Sequence, residues 1–353
     1  MAWEVETHTL EPPESPAWEK FVAGAPGGSV YSLPGYLDAL CTAIGGRYRV
    51  LAVKRNDEIV GGVALYERDA SGGTFVSPRL LLYYNGVVVR RYDTQYPSEN
   101  TSRHVKILTS LEAKLATLGF GSVSLRSRDL LDVRPFLAAG WTADPSYSYV
   151  VPLELEAAWG RIEQNLRRLI DRARNDGLAF SDDDDFDAFF HLHAMTLDRH
   201  GTGVYLPREV FKTFVHTLHR QSLARLFHIR TPEGRAVASQ LVLLGGHRVC
   251  HTASAGAEPE FNKRGATALL RWNAFERLAS LGYQGNDLTD AALNPVTHFK
   301  SQLGGTLEMS FTLQSPLSRR FRWATGASDA LSRSRRIARA MAHRVLRRGG
   351  SKA

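Results

Sequence analysis

The sequence predicts an α/β (α+β) chain of two similar units with mixed, largely antiparallel sheets, followed by a basic C-terminal helix. Three observations carry this reading. The length of 353 residues, 43% hydrophobic and 23% charged, is ample for two globular domains. A series of segments recurs in the same order in the two halves. Within each half a hairpin precedes strand, helix and strand, which excludes the regular βαβ alternation of a doubly wound fold.

The first element is SVYSLPGYLDAL (29–40), echoed by GVYLPREVFKTF (203–214), each a Tyr and a Pro leading into an amphipathic helix. YRVLAVKRNDEIVGGVALYE (48–67) and ARLFHIRTPEGRAVASQLVLLGG (224–246) follow as two alternating apolar runs joined by a charged turn, the pattern of a hairpin. LEAKLATLGFGSVSLRS (111–127) and FERLASLGYQGNDLTD (275–290) read as a helix ended by Gly and a strand. PFLAAGWTADPSYSYVV (135–151) and HFKSQLGGTLEMSFTL (298–313) close each unit as a short helix and a hairpin. Leu118 and Leu281, Gly119 and Gly282, and Phe136 and Phe299 share one offset of 163, the mark of a duplication.

Between the units, Trp159, Ile162, Leu166, Leu169, Ile170 and Ala173 recur at helical spacing up to Gly177, predicting one amphipathic helix whose other face is basic. The expected divisions are 1–155 for the first unit, 156–182 for the linker helix, 183–316 for the second unit and 317–353 for a basic tail. The four acids 182–185 lack the spacing of a calcium loop and read as a solvated loop or helix cap. His193 and His200 stand two turns apart without a carboxylate motif, so no metal site is expected. GxSxG, Walker A and HExxH patterns are absent from the sequence.

The net charge of +8 is unevenly placed. From Arg319 to the end, ten Arg and Lys352 face Asp329 alone, so this segment carries +10 and the rest of the chain −2. Leu331, Ile337, Met341 and Val345 fall on one helical face there, with arginines on the other. That shape suits an anionic membrane surface or an RNA backbone, and equally a solubilising tail. The N-terminus has neither a basic n-region nor an apolar core of a signal peptide, and no apolar run reaches membrane-spanning length. A cytoplasmic protein is expected, with peripheral attachment to the inner membrane face open to the tail. Cys41 and Cys250 lie far apart in apolar contexts and are expected to be reduced.

One comparison between the copies bears on chemistry. NPVTHFKSQLGG (294–305) carries Lys300 where the first copy, RPFLAAG, has Leu137. A charge needed only for the fold would recur in both copies, so Lys300 points to a site in the second; a solvated lysine is the alternative. Asp287 and Asp290 in NDLTD likewise stand opposite Ser124 and Ser127. They suit a strand-end turn as well as a pair that orients or deprotonates an amine.

The segment SAGAEPEFNKRGATALLRWNAFERLASLGYQGNDLTDAALNPVTHFKSQLGG (254–305) and the linker NLRRLIDRARNDGL (165–178) resemble the FemABX superfamily, acyl- and aminoacyltransferases built from two GNAT-like domains joined by basic helices. The resemblance covers about residues 25–315. It implies transfer of an acyl or aminoacyl group from CoA or aminoacyl-tRNA to an amine, in some members on a peptidoglycan precursor, with no permanently bound cofactor. It implies that Lys300 is the active-site lysine and Asp287 the strand aspartate. EFNKRGATALLRW lies where such enzymes bind pyrophosphate, making Lys263, Arg264, Gly265, Ala266 and Thr267 cofactor-binding residues, although Asn262 and Thr267 depart from the usual pattern. Tyr83, Tyr84 and Asn85 resemble the lining of the acceptor cleft, and Arg167 and Arg168 are suited to phosphates. The chain has no room for the coiled-coil arm of tRNA-using members. A catalytically silent protein that binds an envelope precursor or RNA is the second expectation.

Overall fold

The computed structural model describes residues 3–323 save 80, 131 and 200; the basic helix expected at the C-terminus, and His200, lie outside the described residues. The first half runs β1 (Glu6–Thr9), α1 (Ser15–Gly24), α2 (Pro34–Ile44), β2 (Arg47–Arg55), β3 (Glu58–Ala70), β4 (Gly73–Val76), β5 (Val87–Val89), α3 (Pro97–Thr117), β6 (Ser122–Ser127), α4 (Arg134–Ala138) and β7 (Thr142–Pro152). Then come α5 (Leu155–Arg161), α6 (Gln164–Asn175), β8 (Ala179–Ser181), α7 (Phe186–Arg199), α8 (Arg208–Arg220), β9 (Ala224–Arg230), β10 (Ala236–Leu243), β11 (Val249–Ala257), α9 (Pro259–Lys263), α10 (Ala266–Ser280), β12 (Gly285–Asp287), α11 (Pro295–Ser301) and β13 (Thr306–Gln314). From α2 and from α8 the two halves repeat helix, hairpin, strand, helix, strand, short helix, strand; β4 and β5 stand in the first half where β11 stands alone in the second.

Each half ends in a single strand, not in the hairpin its sequence suggests, because the partner strand comes from the other half. β7 pairs antiparallel with β12 and β13, and β13 pairs antiparallel with β6 and β7. The central order is therefore β6-β13-β7-β12 within one mixed sheet. Ser146 faces Ser310 in the β7–β13 register, a separation of 164 residues that nearly equals the repeat offset. An antiparallel pair with that register places a pseudo-twofold axis at its centre.

Alternating faces of this sheet bury three apolar clusters. Trp18, Leu37 and Tyr36 of the first half join Phe189, Phe214 and Leu218 of the second in one core, where Tyr36 meets Phe214 edge to face at 5.8 Å. Helices α1, α2, α7 and α8 thus cover one face across both halves. On the other face Ile107, Leu111 and Phe136 pack on the first half, and Ile170, Leu270 and Phe275 on the second.

The linker is two helices, not one. Ile162 and Glu163 are extended (ψ 134° and 140°), and the break lets Glu163 N–H donate to the carbonyl of Gln302 at 3.0 Å. Gly304 permits this approach: a Cβ there would lie 2.9 Å from Cβ of Arg161, at a φ of +79°. Of the six apolar positions read from the sequence, Ile162, Leu166, Ile170 and Ala173 are buried and Trp159 and Leu169 half-buried. The acidic run disperses. Asp182 pairs with Arg225 and Arg277, Asp183 with Arg230, and Asp185 accepts from the Ala188 N–H at the start of α7.

The exchanged strands make a direct prediction. Residues 1–155 expressed alone lack β13, leaving facing edges of β6 and β7 unpaired, and should show no cooperative unfolding transition; addition of residues 156–323 in trans should restore one. A sharp, two-state melt of 1–155 alone would contradict the dependence on exchange.

Candidate active site

The repeat-related strands β6 and β12 end differently, and the difference creates a buried polar cluster between the halves. β12 ends on Asp287, whose side chain is fully buried. Its Oδ2 accepts from the Tyr84 hydroxyl at 2.9 Å and its Oδ1 from the Thr289 N–H at 2.8 Å. Nε of Arg128, just past β6, lies 3.6 Å from Oδ2, and Nδ1 of His251 on β11 lies 3.6 Å away. Tyr84 also meets the Ser148 hydroxyl of β7 at 3.1 Å. Tyr31 packs its ring on His251 at 5.1 Å. Arg128, Tyr84, Ser148 and Tyr31 belong to the first half, and Asp287 and His251 to the second.

Electrostatics fix the protonation states here. Burial would push the Asp287 carboxyl up, but the His251 ring, the Arg128 guanidinium and the Thr289 N–H outweigh it and hold it at about 2. Burial lowers His251, leaving a neutral imidazole whose two nitrogens have no hydrogen-bond partner among the described residues. Burial also raises the Tyr84 hydroxyl well above its ordinary value, so it stays a donor. Asp287 is thus an ionised carboxylate at neutral pH with Arg128 as its counter-charge.

Lys300 sits at the rim of this cluster on α11, whose first turn is capped by the Asn294 side chain accepting from the Thr297 N–H at 3.0 Å. Its Nζ donates to the carbonyls of Thr289 and Asp290. Both acceptors lie in a left-handed turn, with φ of 48° and 52°. The turn is anchored below by Asp287 and sideways by the Thr289 hydroxyl, which donates to the Thr252 carbonyl at 2.9 Å. Burial, helped by the charge of Arg271, lowers the Lys300 ammonium to about 8. The Asp290 side chain is exposed.

The other expected site residues fall into separate places. Tyr83 is half-buried beside the cluster, its hydroxyl near the Tyr147 carbonyl at 3.3 Å and its ring under Arg126. Asn85 is turned to β6: its amide donates to the Ser124 carbonyl and accepts from the Arg126 N–H, both at 2.9 Å. Gly265 begins α10 at a φ of +94°, with the Leu169 carbonyl of α6 only 2.3 Å from where a Cβ would stand. Ala266 is buried behind it, Thr267 is half-buried, and Lys263 is exposed. Arg264 is engaged by Asp176 at 3.0 Å, and the N–H groups of Arg264 and Gly265 donate to the Phe261 and Asn262 carbonyls, both at 3.1 Å. Arg167 is half-buried and Arg168 exposed on α6. Among the described residues no group of three side chains is placed to hold a metal, and no helix is long and apolar enough to cross a membrane.

Sequence reasoning missed Arg128, His251, Tyr31 and Arg271. Two of them carried a signal: His251 interrupts the strand run RVCHTASA and Arg271 the helix run ALLRWNAF, each polar in an apolar stretch.

Residues 160–301 match the model of the acetyltransferase (GNAT) domain. No curated protein matches the chain in sequence. Among solved structures, the crystal structure of FemX superposes with a TM-score of 0.69 at 13% identity, over 87% of this chain and 96% of that one. The structure of L-PGS from Bacillus licheniformis gives 0.54 at 11%, over 87% and 93%. The C-terminal domain (DUF2156) of a putative lysylphosphatidylglycerol synthetase from Agrobacterium fabrum gives 0.53 at 12%, over 85% and 95%. The chain has a GNAT-like α/β fold, and the domain match and fold together support an acyltransferase. In fold the chain is similar to FemX, as the resemblance read from its sequence implied.

The Asp287–Arg128 pair is testable through acid stability. With its carboxyl held at about 2 against about 4 when unfolded, Asp287 contributes fully above pH 4 and loses its contribution as pH falls towards 2. Asp287→Asn should cost about 3 kcal/mol at pH 7, because the buried Arg128 keeps only the half-exposed Glu308 as a counter-charge, and should flatten the loss of stability between about pH 4 and 2. Identical acid profiles for both proteins, followed by urea unfolding, would rule the pair out.

Proposed function

We propose that this protein transfers an acyl group from acyl-CoA to an amine at the rim where Lys300 meets the Thr289–Asp290 turn. The observation that carries the reading is the position of Lys300. It is a half-buried cation on a turn braced by a buried carboxylate, inside the segment that matches the GNAT domain. The amine nitrogen attacks the thioester carbonyl, the C–N bond forms and an oxyanion develops. Collapse of that intermediate breaks the C–S bond, the thiolate leaves as CoA, and the nitrogen gives up its proton.

An ammonium has three N–H donors. Two of Lys300's are taken by backbone carbonyls, which fix the head group, and the third is free for the oxyanion. One such preorganised donor is worth about 3–4 kcal/mol in acyl transfer. Asp287 is buried and acts through the turn as a positioning residue. Asp290, exposed beside Lys300, is the carboxylate that an incoming amine meets. Lys263 and the N–H groups of Ala266 and Thr267 are assigned to donor phosphate, with Arg264 and Gly265 shaping the turn, and Tyr83 and Tyr84 with Asn85 to the acceptor side, where Tyr83 alone of the three is partly open. Arg167 and Arg168 are assigned to phosphates at the linker. Transfer from aminoacyl-tRNA and an envelope-precursor acceptor remain the finer form of the same reading, with the basic tail meeting RNA or an anionic membrane.

Release of CoA thiol from acetyl-CoA in the presence of a panel of amines tests the proposal. Lys300→Ala should reduce turnover at least about a hundredfold while leaving the melting temperature within a few degrees. Because the Lys300 ammonium titrates at about 8, the wild-type rate should fall as pH rises through 8, and Lys300→Arg, which stays charged, should lose that alkaline limb. Undiminished turnover in Lys300→Ala would remove the catalytic role of Lys300, and absence of CoA release by the wild-type protein with every amine would move the protein to the silent, ligand-binding reading.

A further inference from the structure

β11 and β12 pair in parallel over three positions, Val249–His251 against Gly285–Asp287, and then part. Leu288 turns its N–H to the Tyr149 carbonyl of β7 at 2.8 Å, while β11 continues along β10, with Ala255 opposite Gln240. The Thr289 hydroxyl, bonded to the Thr252 carbonyl, ties the two lips at the point of separation.

Two cations stand at this splay. Lys300 holds one lip through the Thr289 and Asp290 carbonyls. Arg271, from the second turn of α10, reaches β10 beyond the point where β12 leaves, and donates from Nη1 to Oε1 of Gln240 at 2.7 Å. Arg271 is 8% exposed and its Nε is buried without a hydrogen-bond partner. Among the described residues no carboxylate pairs with it; burial alone lowers it, to about 10. The charge of Arg271 also depresses Lys300, so the two cations share one field.

A buried guanidinium with an orphan donor and no counter-charge is costly, and an arriving anion removes that cost. Gln240 occupies one arm of the fork and leaves the Nε edge, whose planar donors match the two oxygens of a carboxylate. We propose that the cleft between β11 and β12 takes a substrate carboxylate, anchored by Arg271 and reinforced by the charge of Lys300. The inference rests on the acyl-transfer reading only for where that carboxylate comes from: the distal end of the acyl group, or the amine acceptor.

Calorimetric titration with two probe pairs tests it: succinyl-CoA against acetyl-CoA, and glycine against ethylamine. In the wild-type protein the carboxylate-bearing member of one pair should bind about tenfold tighter or better than its neutral mate, and the pair that shows the preference identifies the source. Arg271→Met should abolish the preference and leave the melting temperature unchanged or raised, since an unpaired buried charge is gone. Arg271→Lys should keep part of the preference. Should Arg271→Met fail to fold, Arg271→Gln serves in its place.

Equal binding within both pairs, or a preference that survives loss of the arginine, would overturn the proposal. A carboxylate preference without CoA release from any donor and amine leaves the anion site standing and removes the transferase reading; release without a preference does the reverse.

Discussion

The β7–β13 pairing is the constraint on which the rest of the molecule depends. Each strand is the last of its own half, and each is built into the other half's sheet. This locks the relative placement of the halves to within hydrogen-bond geometry and brings Arg128, Tyr84 and Ser148 of one up to Asp287 of the other. A buried ion pair is stabilised only where its partner is held that firmly. The even-numbered positions of β13 share a face with Ser148, and Glu308 there approaches Arg128 at 3.6 Å, so the exchange also supplies an acid to the same cluster.

From this cluster a chain of supports leads outward. Asp287 fixes the Thr289 N–H, the Thr289–Asp290 turn fixes the head group of Lys300, and α11 fixes its stem. Behind α11, Gln302 takes the Glu163 N–H, and its side chain donates to the Glu163 carboxylate at 2.8 Å. The linker break therefore braces the helix that carries the lysine. Gly304 matters because the linker backbone runs where any side chain would stand.

Much of this was legible in the sequence, for identifiable reasons. Local periodicity placed the helices and hairpins, because their apolar spacing reflects burial against the same neighbours in both copies. The offset of 163 revealed the duplication, and the Leu137/Lys300 difference singled out the lysine. The closing hairpins were misread because strand pairing is non-local: SFTL and SYSYVV look like strands whoever their partner is. The linker looked continuous because Ile162 keeps helical spacing across a break set by a distant glycine. The Asn85 amide bonds to β6, a pairing that its sequence does not signal. Arg128 and Tyr31 carry no sequence signal, since their role exists only once the two halves meet.

The exchanged strands also bear on ancestry. A single unit ending in such a strand has two open edges, and a twofold pair of identical units that trade last strands closes both at once. Joining two units through α5 and α6 makes that dimer permanent and ends the requirement that its two copies stay alike. One copy has a leucine at position 137 where the other has Lys300, so a near-symmetric scaffold carries an asymmetric set of side chains.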